Sequence, residues 1–311
     1  MPLGLGLASS HAPGMYAPEE TLEASLSRMI ATAADRGSPV PSAATRLTVE
    51  DLKSHHRRFR AGHAALRAQL EAYDPEALII IGGDQSEMFD HSNKVNMMIY
   101  TGEEAFGRKA GTTDGTIALK CHVDLSKFLL NELVEDGFDV AFSEKMVRLG
   151  SQRVPGLPHP FVNPMEILPR PDLPVVLVYE NTYDPPALLS GSRCYELGQA
   201  IAKILGKDSR KVAIYGSGGL SHDLGTRRIW IDEPFDHWLL EQISQGTGYK
   251  LKDVYDIDSM TLDSGTGECR AWITVAGAME QVGAKATVVD YVAAPETITG
   301  CGFAYWVPPK Q

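Results

Sequence analysis

Apolar segments that run directly into polar turns are the feature of this sequence that most restricts its fold. Residues 3–7 run into two serines, His11 and a proline, and residues 77–81 run into the turn GGDQSE. Continuous apolar strands are typical of sheets buried on both faces. In an open α/β sheet, ligands bind where such strands end. We therefore predict a ligand site beside His11.

Two later segments end in the same way. Residues 173–179 precede the polar stretch ENTYDPP, and residues 211–215 precede the glycine-rich turn GSGGLSH, which ends at His222. Between the strands, Thr48 and Asp51 form a capping-box pattern that predicts a helix to about Tyr73. A further helix is predicted over residues 117–135. Strands and helices in alternation predict an α/β fold with a central mixed, largely parallel sheet flanked by helices.

Composition narrows the class of protein. No linker-like segment interrupts the 311 residues, so we predict one domain, residues 1–311. The net charge of -11 argues against nucleic-acid binding, and there is no apolar run of membrane-spanning length. The N-terminus does not read as a signal peptide, and the four cysteines form no CxxC motif. We therefore expect a cytoplasmic protein with free thiols and no membrane or nucleic-acid partner.

The glycine-rich turn before His222 is not a phosphate-binding loop. It lacks the GK[ST] ending and the GxGxxG entry into a helix, which argues against nucleotide binding. Its serine is not flanked as GxSxG, which argues against a hydrolase nucleophile.

Several histidines and carboxylates fall at the predicted strand ends or close to them in space. The helix over residues 55–73 is about 27 Å long, and the strand over residues 77–84 is about 23 Å long. An antiparallel pair of such lengths returns His55 or His56 to the edge where Asp84 and Gln85 lie. The full candidate set is His11, His55 or His56, Asp84, Gln85, His159, His222 and Glu268. Two histidines and one carboxylate suit non-haem Fe(II).

Each candidate also has an ordinary structural interpretation. His11 fits a surface-loop histidine, and His159, which lies between two prolines, fits a turn histidine. Glu268 fits a carboxylate that stabilises a helix N-terminus.

The chain resembles the class III extradiol ring-cleaving dioxygenases, the superfamily of the protocatechuate 4,5-dioxygenase catalytic subunit. The matching segments follow the order of the family along almost the whole chain: SSHAP at 9–13, GGDQSEMF at 82–89, HPFVNP at 159–164, RCYELGQAI at 193–201, YGSGGLSHDL at 215–224 and SGTGECRAWI at 264–273. The resemblance implies Fe(II)-dependent cleavage of a catecholic or aminophenolic ring with O₂, beside the two ring substituents.

The resemblance also implies residue roles. His11 and Glu268 match iron ligands, His222 matches the catalytic acid/base, and His159 matches a second active-site histidine. One position departs from the family, because Gln85 stands where the family has its second ligand histidine.

We interpret the chain as a branch with Asp-Gln at this place and a ligand histidine at the helix start. His55 is the first candidate, followed by His56 and then His91, while Gln85 and Asp84 either bind the metal or support its ligands.

Other assignments stay open from the sequence. Arg57, Arg58 and Arg60 could bind a substrate carboxylate, or they form a solvated basic helix face. Tyr183 is a further candidate for substrate contact. The alternative functions are a different metal-dependent enzyme, hydrolase-like with zinc as a candidate metal, or a non-catalytic binding homologue. The expected partners are a small aromatic substrate and O₂, a second copy of the chain in a homo-oligomer, and a small helical subunit of the kind found in some relatives.

Overall fold

The computed structural model describes residues 2–35, 37–40, 42–109, 115–146, 156–166, 168, 170, 172–223 and 230–309. The strands are β1 (Leu3–Ser9), β2 (Ala77–Gly82), β3 (Met97–Tyr100), β4 (Glu104–Arg108), β5 (Thr116–Lys120), β6 (Ala141–Ser143), β7 (Val175–Glu180), β8 (Val212–Ser217), β9 (Ala286–Ala294) and β10 (Thr299–Trp306). The helices are α1 (Leu22–Asp35), α2 (Val49–Tyr73), α3 (Val123–Glu135), α4 (His159–Val162), α5 (Gly191–Leu205), α6 (Glu233–Gln245) and α7 (Cys269–Gln281).

One large sheet of eight strands organises the molecule, in the order β6-β3-β7-β2-β8-β1-β10-β9. The four central strands, β7, β2, β8 and β1, are parallel, whereas β3 on one side and β10 and β9 on the other add antiparallel pairs. The predicted α/β fold with a mixed, largely parallel sheet is confirmed. β4 and β5 pair separately as a two-stranded ribbon.

Both faces of the central strands are buried, as their unbroken apolar sequences require. Alternate residues of β2 enter opposite cores: Ile79 and Ile81 pack in the core formed with α3, α5, α6 and α7, while Leu78 and Ile80 pack in the core formed with α2. No helix in the described part of the chain is long and apolar enough to cross a membrane.

The predicted capping box sets the start of α2. Asp51 N–H donates to Thr48 Oγ1 at 3.2 Å, and Thr48 N–H donates to Asp51 Oδ2 at 2.8 Å. The helix ends at Tyr73 and is capped by Asp74, whose φ of 48° is left-handed.

The helix predicted over residues 117–135 is only partly correct. The structure has β5 at Thr116–Lys120 and starts α3 at Val123. β5 is largely exposed, and no glycine or proline separates it from α3. The sequence of the two elements therefore resembles that of one helix.

Glycines bring α5 and α7 into close contact. A Cβ at Gly198 would overlap the Thr274 carbonyl oxygen and the Ala278 nitrogen. We expect Gly198→Ala to lower the free energy of unfolding by about 1–3 kcal/mol, because the backbone of α7 leaves no room for a methyl group. Thermal unfolding followed by circular dichroism measures the effect. Lys203→Ala on the exposed face of α5 is the control, with an expected change within about 0.5 kcal/mol. Equal melting temperatures for the two variants would contradict the close packing.

Candidate active site

The carboxyl ends of the four central strands lie level with one another. Ser217 at the end of β8 pairs with Ser9 of β1 and with Gly82 of β2, and Gly82 pairs with Tyr179 of β7. The segments that follow these strands enclose a cavity of about 200 Å³. Its walls include six of the residues singled out from the sequence: His11, Gln85, His159, Tyr183, His222 and Glu268.

His11 follows β1, and its tautomer can be derived from its contacts. Ser217 Oγ–H donates to the Pro160 carbonyl oxygen at 2.6 Å, so the Ser217 oxygen is left to accept. His11 Nδ1 lies 3.1 Å from that oxygen and therefore carries the proton of the neutral ring. Burial lowers the pKa of His11, which favours this neutral form. The lone pair is then on Nε2.

Glu268 is the buried carboxylate of the cavity and ends the 3₁₀ segment Ser264–Glu268, just before α7. Gly219 N–H donates to its Oε2 at 2.7 Å, and Gln85 Nε2–H donates to its Oε1 at 2.5 Å. Burial opposes ionisation, but the His11 and His222 rings, when protonated, and the Gly219 hydrogen bond hold the pKa of Glu268 well below its usual value. Glu268 is therefore a carboxylate at neutral pH.

The donor set of His11 and Glu268 fits a divalent cation. Their facing atoms, Nε2 and Oε2, are 3.3 Å apart. With the His11 proton on Nδ1, both facing atoms are electron-rich and no hydrogen lies between them. Histidine nitrogen and carboxylate oxygen are ligands for iron and zinc. Within the described ranges, no three His, Cys, Asp or Glu side chains are placed to hold a metal as they stand, so other ligands would come from another side-chain type, water or substrate.

His222 lies on the other side of Glu268. Its Nδ1–H donates to the Leu220 carbonyl oxygen at 2.7 Å, and its backbone N–H donates to Thr266 Oγ1 at 3.3 Å. These contacts fix the ring and leave Nε2, 3.8 Å from Glu268 Oε2, free to exchange a proton. The motif that carries His222 ends at residue 224, which lies outside the described residues.

His159 is held by a carboxylate that the sequence analysis missed. Glu87 Oε1 accepts from His159 Nδ1–H at 2.9 Å, and Glu87 Oε2 accepts from its backbone N–H at 3.1 Å. Burial opposes protonation of His159, but the charge and hydrogen bond of Glu87 raise its pKa. The His159 and His11 rings are 4.8 Å apart at their centroids, in an edge-on arrangement. The only sequence signal for Glu87 is its place in the polar turn after β2.

Replacing Glu87 with glutamine tests whether the Glu87 carboxylate positions His159. We expect Glu87→Gln to lower kcat/KM about 10-fold, because a hydrogen bond between charged groups is replaced by a weaker neutral one. Steady-state kinetics with the preferred aromatic substrate measures the effect. Glu50→Gln is the matched control, since Glu50 is an exposed carboxylate that pairs with Arg57 at the surface. An unchanged kcat/KM in Glu87→Gln would show that His159 does not depend on this carboxylate.

Asp84 shapes the turn that carries Gln85 and Glu87. Its Oδ1 accepts from the backbone N–H groups of Glu87 and Met88, and its Oδ2 accepts from that of Phe89. Burial raises the pKa of Asp84. Both carboxylate oxygens accept from backbone donors, so Asp84 holds the shape of this turn.

The structure does not bring the helix-start histidines to His11 and Glu268. His55 Nδ1 lies 2.8 Å from Glu296 Oε1, His56 is buried against the backbone of Ala17, and His91 is exposed. None of the three lines the cavity. The start of α2 does lie near the cavity, but His55 pairs there with Glu296, the residue next to the wall residue Thr297.

Two of the three arginines singled out for substrate binding, Arg57 and Arg58, lie away from the cavity. Arg57 pairs with Glu50, and Arg58 pairs with Asp290, at the surface. Neither lines the cavity. Their contacts fit the alternative interpretation, a solvated basic helix face.

Uncommon backbone conformations surround the cavity. Among the described residues, five non-glycine residues have positive φ, and four of these lie on or next to the cavity wall: Ser86, Asp223, Ser264 and Ile298. Such conformations cost free energy and persist where the surrounding structure enforces them, often at functional sites. Ser86 and Asp223 directly follow Gln85 and His222, so the strain is next to the side chains of interest.

Comparison with known proteins supplies the family. The model for the catalytic LigB subunit of aromatic ring-opening dioxygenase matches residues 42–303. The chain belongs to this family. It is thus an enzyme of the aromatic ring-opening dioxygenase class, and the resemblance seen in the motifs is confirmed.

Curated relatives of the family agree. The 2,3-dihydroxyphenylpropionate/2,3-dihydroxicinnamic acid 1,2-dioxygenase of Burkholderia vietnamiensis is 25% identical over 287 residues, covering 76% of this chain and 86% of the relative. The protein of that description from Mycolicibacterium paratuberculosis is 27% identical over 294 residues, covering 77% and 88%. The crystal structure of an uncharacterised Escherichia coli K12 protein superposes with a TM-score of 0.52 at 13% identity, over 79% of this chain and 91% of that one, which supports the fold alone.

Proposed function

We propose that this chain opens an aromatic ring with O₂ at the bond beside two adjacent ring substituents, either two hydroxyl groups or a hydroxyl and an amino group, and that Fe(II) is its metal. The observation that supports this most directly is the placing of one buried carboxylate, Glu268, between His11 at 3.3 Å and His222 at 3.8 Å. The unprotonated Nε2 of His11 faces the carboxylate, so the two groups could bind one metal ion together. The Nε2 of His222 is available to exchange a proton.

His11 and Glu268 would hold the metal, and the Gln85 amide, which contacts Glu268, is the candidate third ligand. Bound Fe(II) would supply the redox chemistry that activates O₂ and would act as a Lewis acid on the substrate hydroxyl group. The Ser217 hydroxyl fixes the His11 ring so that Nε2 faces the metal position, the second contact that metal-binding histidines commonly have.

His222 would take the proton from a substrate hydroxyl group at Nε2. The Leu220 carbonyl oxygen keeps the Nδ1 proton in place, so the ring accepts on one nitrogen only. The imidazolium that results is stabilised by the nearby Glu268 carboxylate. The same nitrogen can return the proton to the opened product, as a general acid/base does.

His159 would carry a positive charge into the cavity. Glu87 favours its protonated form, and an imidazolium at this place can donate to an anionic substrate oxygen. Together His222 and His159 would bind the two ring substituents or the oxygen that is added to the ring.

The cavity suits a substrate with a single ring. Its volume of about 200 Å³ is below the range of about 300–1,000 Å³ that is usual for drug-sized ligands. Tyr183 on its wall is a candidate for contact with the ring. The relatives that act on 2,3-dihydroxyphenylpropionate support a catechol that carries a short side chain as the first substrate to examine.

Anaerobic reconstitution with Fe(II), followed by O₂ uptake, tests the function. The substrate panel is catechol, protocatechuate, gallate, 2,3-dihydroxyphenylpropionate and 2-aminophenol, with resorcinol as the control because its hydroxyl groups are not adjacent. We expect Fe(II)-dependent uptake and a coloured ring-opened product with at least one adjacent pair, and none with resorcinol. No uptake across the panel together with preferred zinc binding would favour a different metal-dependent enzyme, which the glutamine at position 85 makes the second candidate.

The chain's environment and assembly are part of the proposal. All four cysteines are buried free thiols, which supports a reducing compartment such as the cytoplasm. The homo-oligomer and the small helical partner subunit stay predictions, and light scattering during size-exclusion chromatography tests them.

A further inference from the structure

A buried carboxylate on α6 lies beneath the loop that carries His222. Asp236 is fully buried, in the first turn of α6. Three donors converge on its carboxylate: Ser221 N–H at 2.7 Å on Oδ1, and Ser221 Oγ–H at 2.8 Å and Tyr291 Oη–H at 2.7 Å on Oδ2. Two of the three come from the residue directly before His222.

Ser221 has no free polar group. Besides its two bonds to Asp236, its Oγ accepts from Asp232 N–H at 2.7 Å, and its carbonyl oxygen accepts from Gly300 N–H at 3.0 Å. The carboxylate, the start of α6 and β10 therefore hold this one residue from different sides. All of these contacts are made by the residue whose peptide joins it to His222.

We propose that Asp236 is a positioning residue for His222, acting through Ser221. The role rests on the proposed function of His222 as the acid/base. When Ser221 is fixed, the hydrogen bond from His222 Nδ1–H to the Leu220 carbonyl oxygen orients the ring so that Nε2 faces Glu268. Loss of the Asp236 carboxylate would let the Ser221–His222 peptide rotate, and misplacement of a catalytic group by about 1 Å can cost about 100-fold in rate.

Asp236→Asn and Ser221→Ala, alone and combined, test the proposal by kinetics. We expect each single variant to lower kcat by about 10- to 100-fold with little change in the substrate KM. The double variant should be no slower than the worse single variant, because both substitutions remove the hydrogen bond from Ser221 Oγ–H to Asp236 Oδ2. Glu180→Gln is the matched control. Glu180 is also a fully buried carboxylate, but it contacts Thr274 rather than the His222 loop, so its loss should lower the melting temperature and leave kcat unchanged.

Additive losses in the double variant, or an Asp236→Asn variant that loses thermal stability with an unchanged kcat, would overturn the proposal. If Asp236→Asn does not fold, Ser221→Ala carries the same expectation for kcat and KM, and an unchanged kcat there overturns it.

A second readout needs no turnover and separates this inference from the proposed function. In the chain labelled with ¹³C at histidine Cε1, the His222 resonance, assigned through His222→Gln, should shift in Asp236→Asn and not in Glu180→Gln. An unmoved resonance rejects the positioning role even if the enzyme is active. A shifted resonance in a chain without ring-opening activity would keep the positioning role and reject the proposed function.

Discussion

Replacing His222 with glutamine should lower kcat by about 100- to 10,000-fold and leave metal binding intact. Glutamine keeps a hydrogen-bonding side chain of similar reach, but it cannot take up a proton and return it near neutral pH. The Glu268 carboxylate stays in place, because it keeps its hydrogen bonds from Gly219 and Gln85. Single-turnover kinetics under O₂ measures the rate, and Fe(II) titration of the same sample measures the binding.

His91→Gln is the control for this variant, since His91 is exposed and does not line the cavity. We expect its kcat to equal that of the parent chain. A His222→Gln variant with a normal kcat would remove His222 from the reaction. One that loses Fe(II) in parallel with activity would instead make His222 a metal ligand.

Replacing Glu268 with glutamine should weaken Fe(II) binding by about 100-fold or more and abolish ring opening. The substitution keeps the size of the side chain and removes the buried negative charge that lies 3.3 Å from His11 and 3.8 Å from His222. A divalent cation in a buried site depends on such a charge, because little solvent is present to compensate it. Competition with a colorimetric Fe(II) chelator measures the affinity without reference to turnover.

Glu180→Gln again provides the control, because it removes a buried carboxylate that does not face the cavity histidines. It should bind Fe(II) as the parent chain does. Normal Fe(II) affinity in Glu268→Gln would contradict the assignment of Glu268 as a metal ligand and would move the metal position elsewhere in the molecule.

The frame of the fold was predictable because its signals are local. Apolar strands buried on both faces are continuous in sequence, and the capping box of α2 requires only Thr48 and Asp51. β5 was not predicted, because an exposed five-residue strand in a two-stranded ribbon has no strong apolar pattern. No glycine or proline marks a boundary between it and α3. Its pairing with β4 depends on tertiary structure, which the local sequence pattern does not show.

The site was predictable where residues follow strands and match family motifs. His11, His159, His222 and Glu268 all line one cavity, while their chemical roles stay predictions. Glu87 could not be assigned, because its role depends on a contact with His159 across 72 positions of sequence.

The structure does not place His55 in the cavity, for a similar reason. The length of α2 brings it to the right edge, but the partner it meets there, Glu296, lies 241 positions away along the chain. Helix and strand lengths fix which edge a residue reaches. They do not fix which side chain it contacts there.

Reaction in ¹⁸O₂, with the product analysed by mass spectrometry and NMR, tests the central claim most directly. The expected result is a ring opened beside the paired substituents, with both ¹⁸O atoms in the product and one equivalent of O₂ used per ring. A product opened between the paired substituents, or a product whose added oxygen comes from water, would contradict the account.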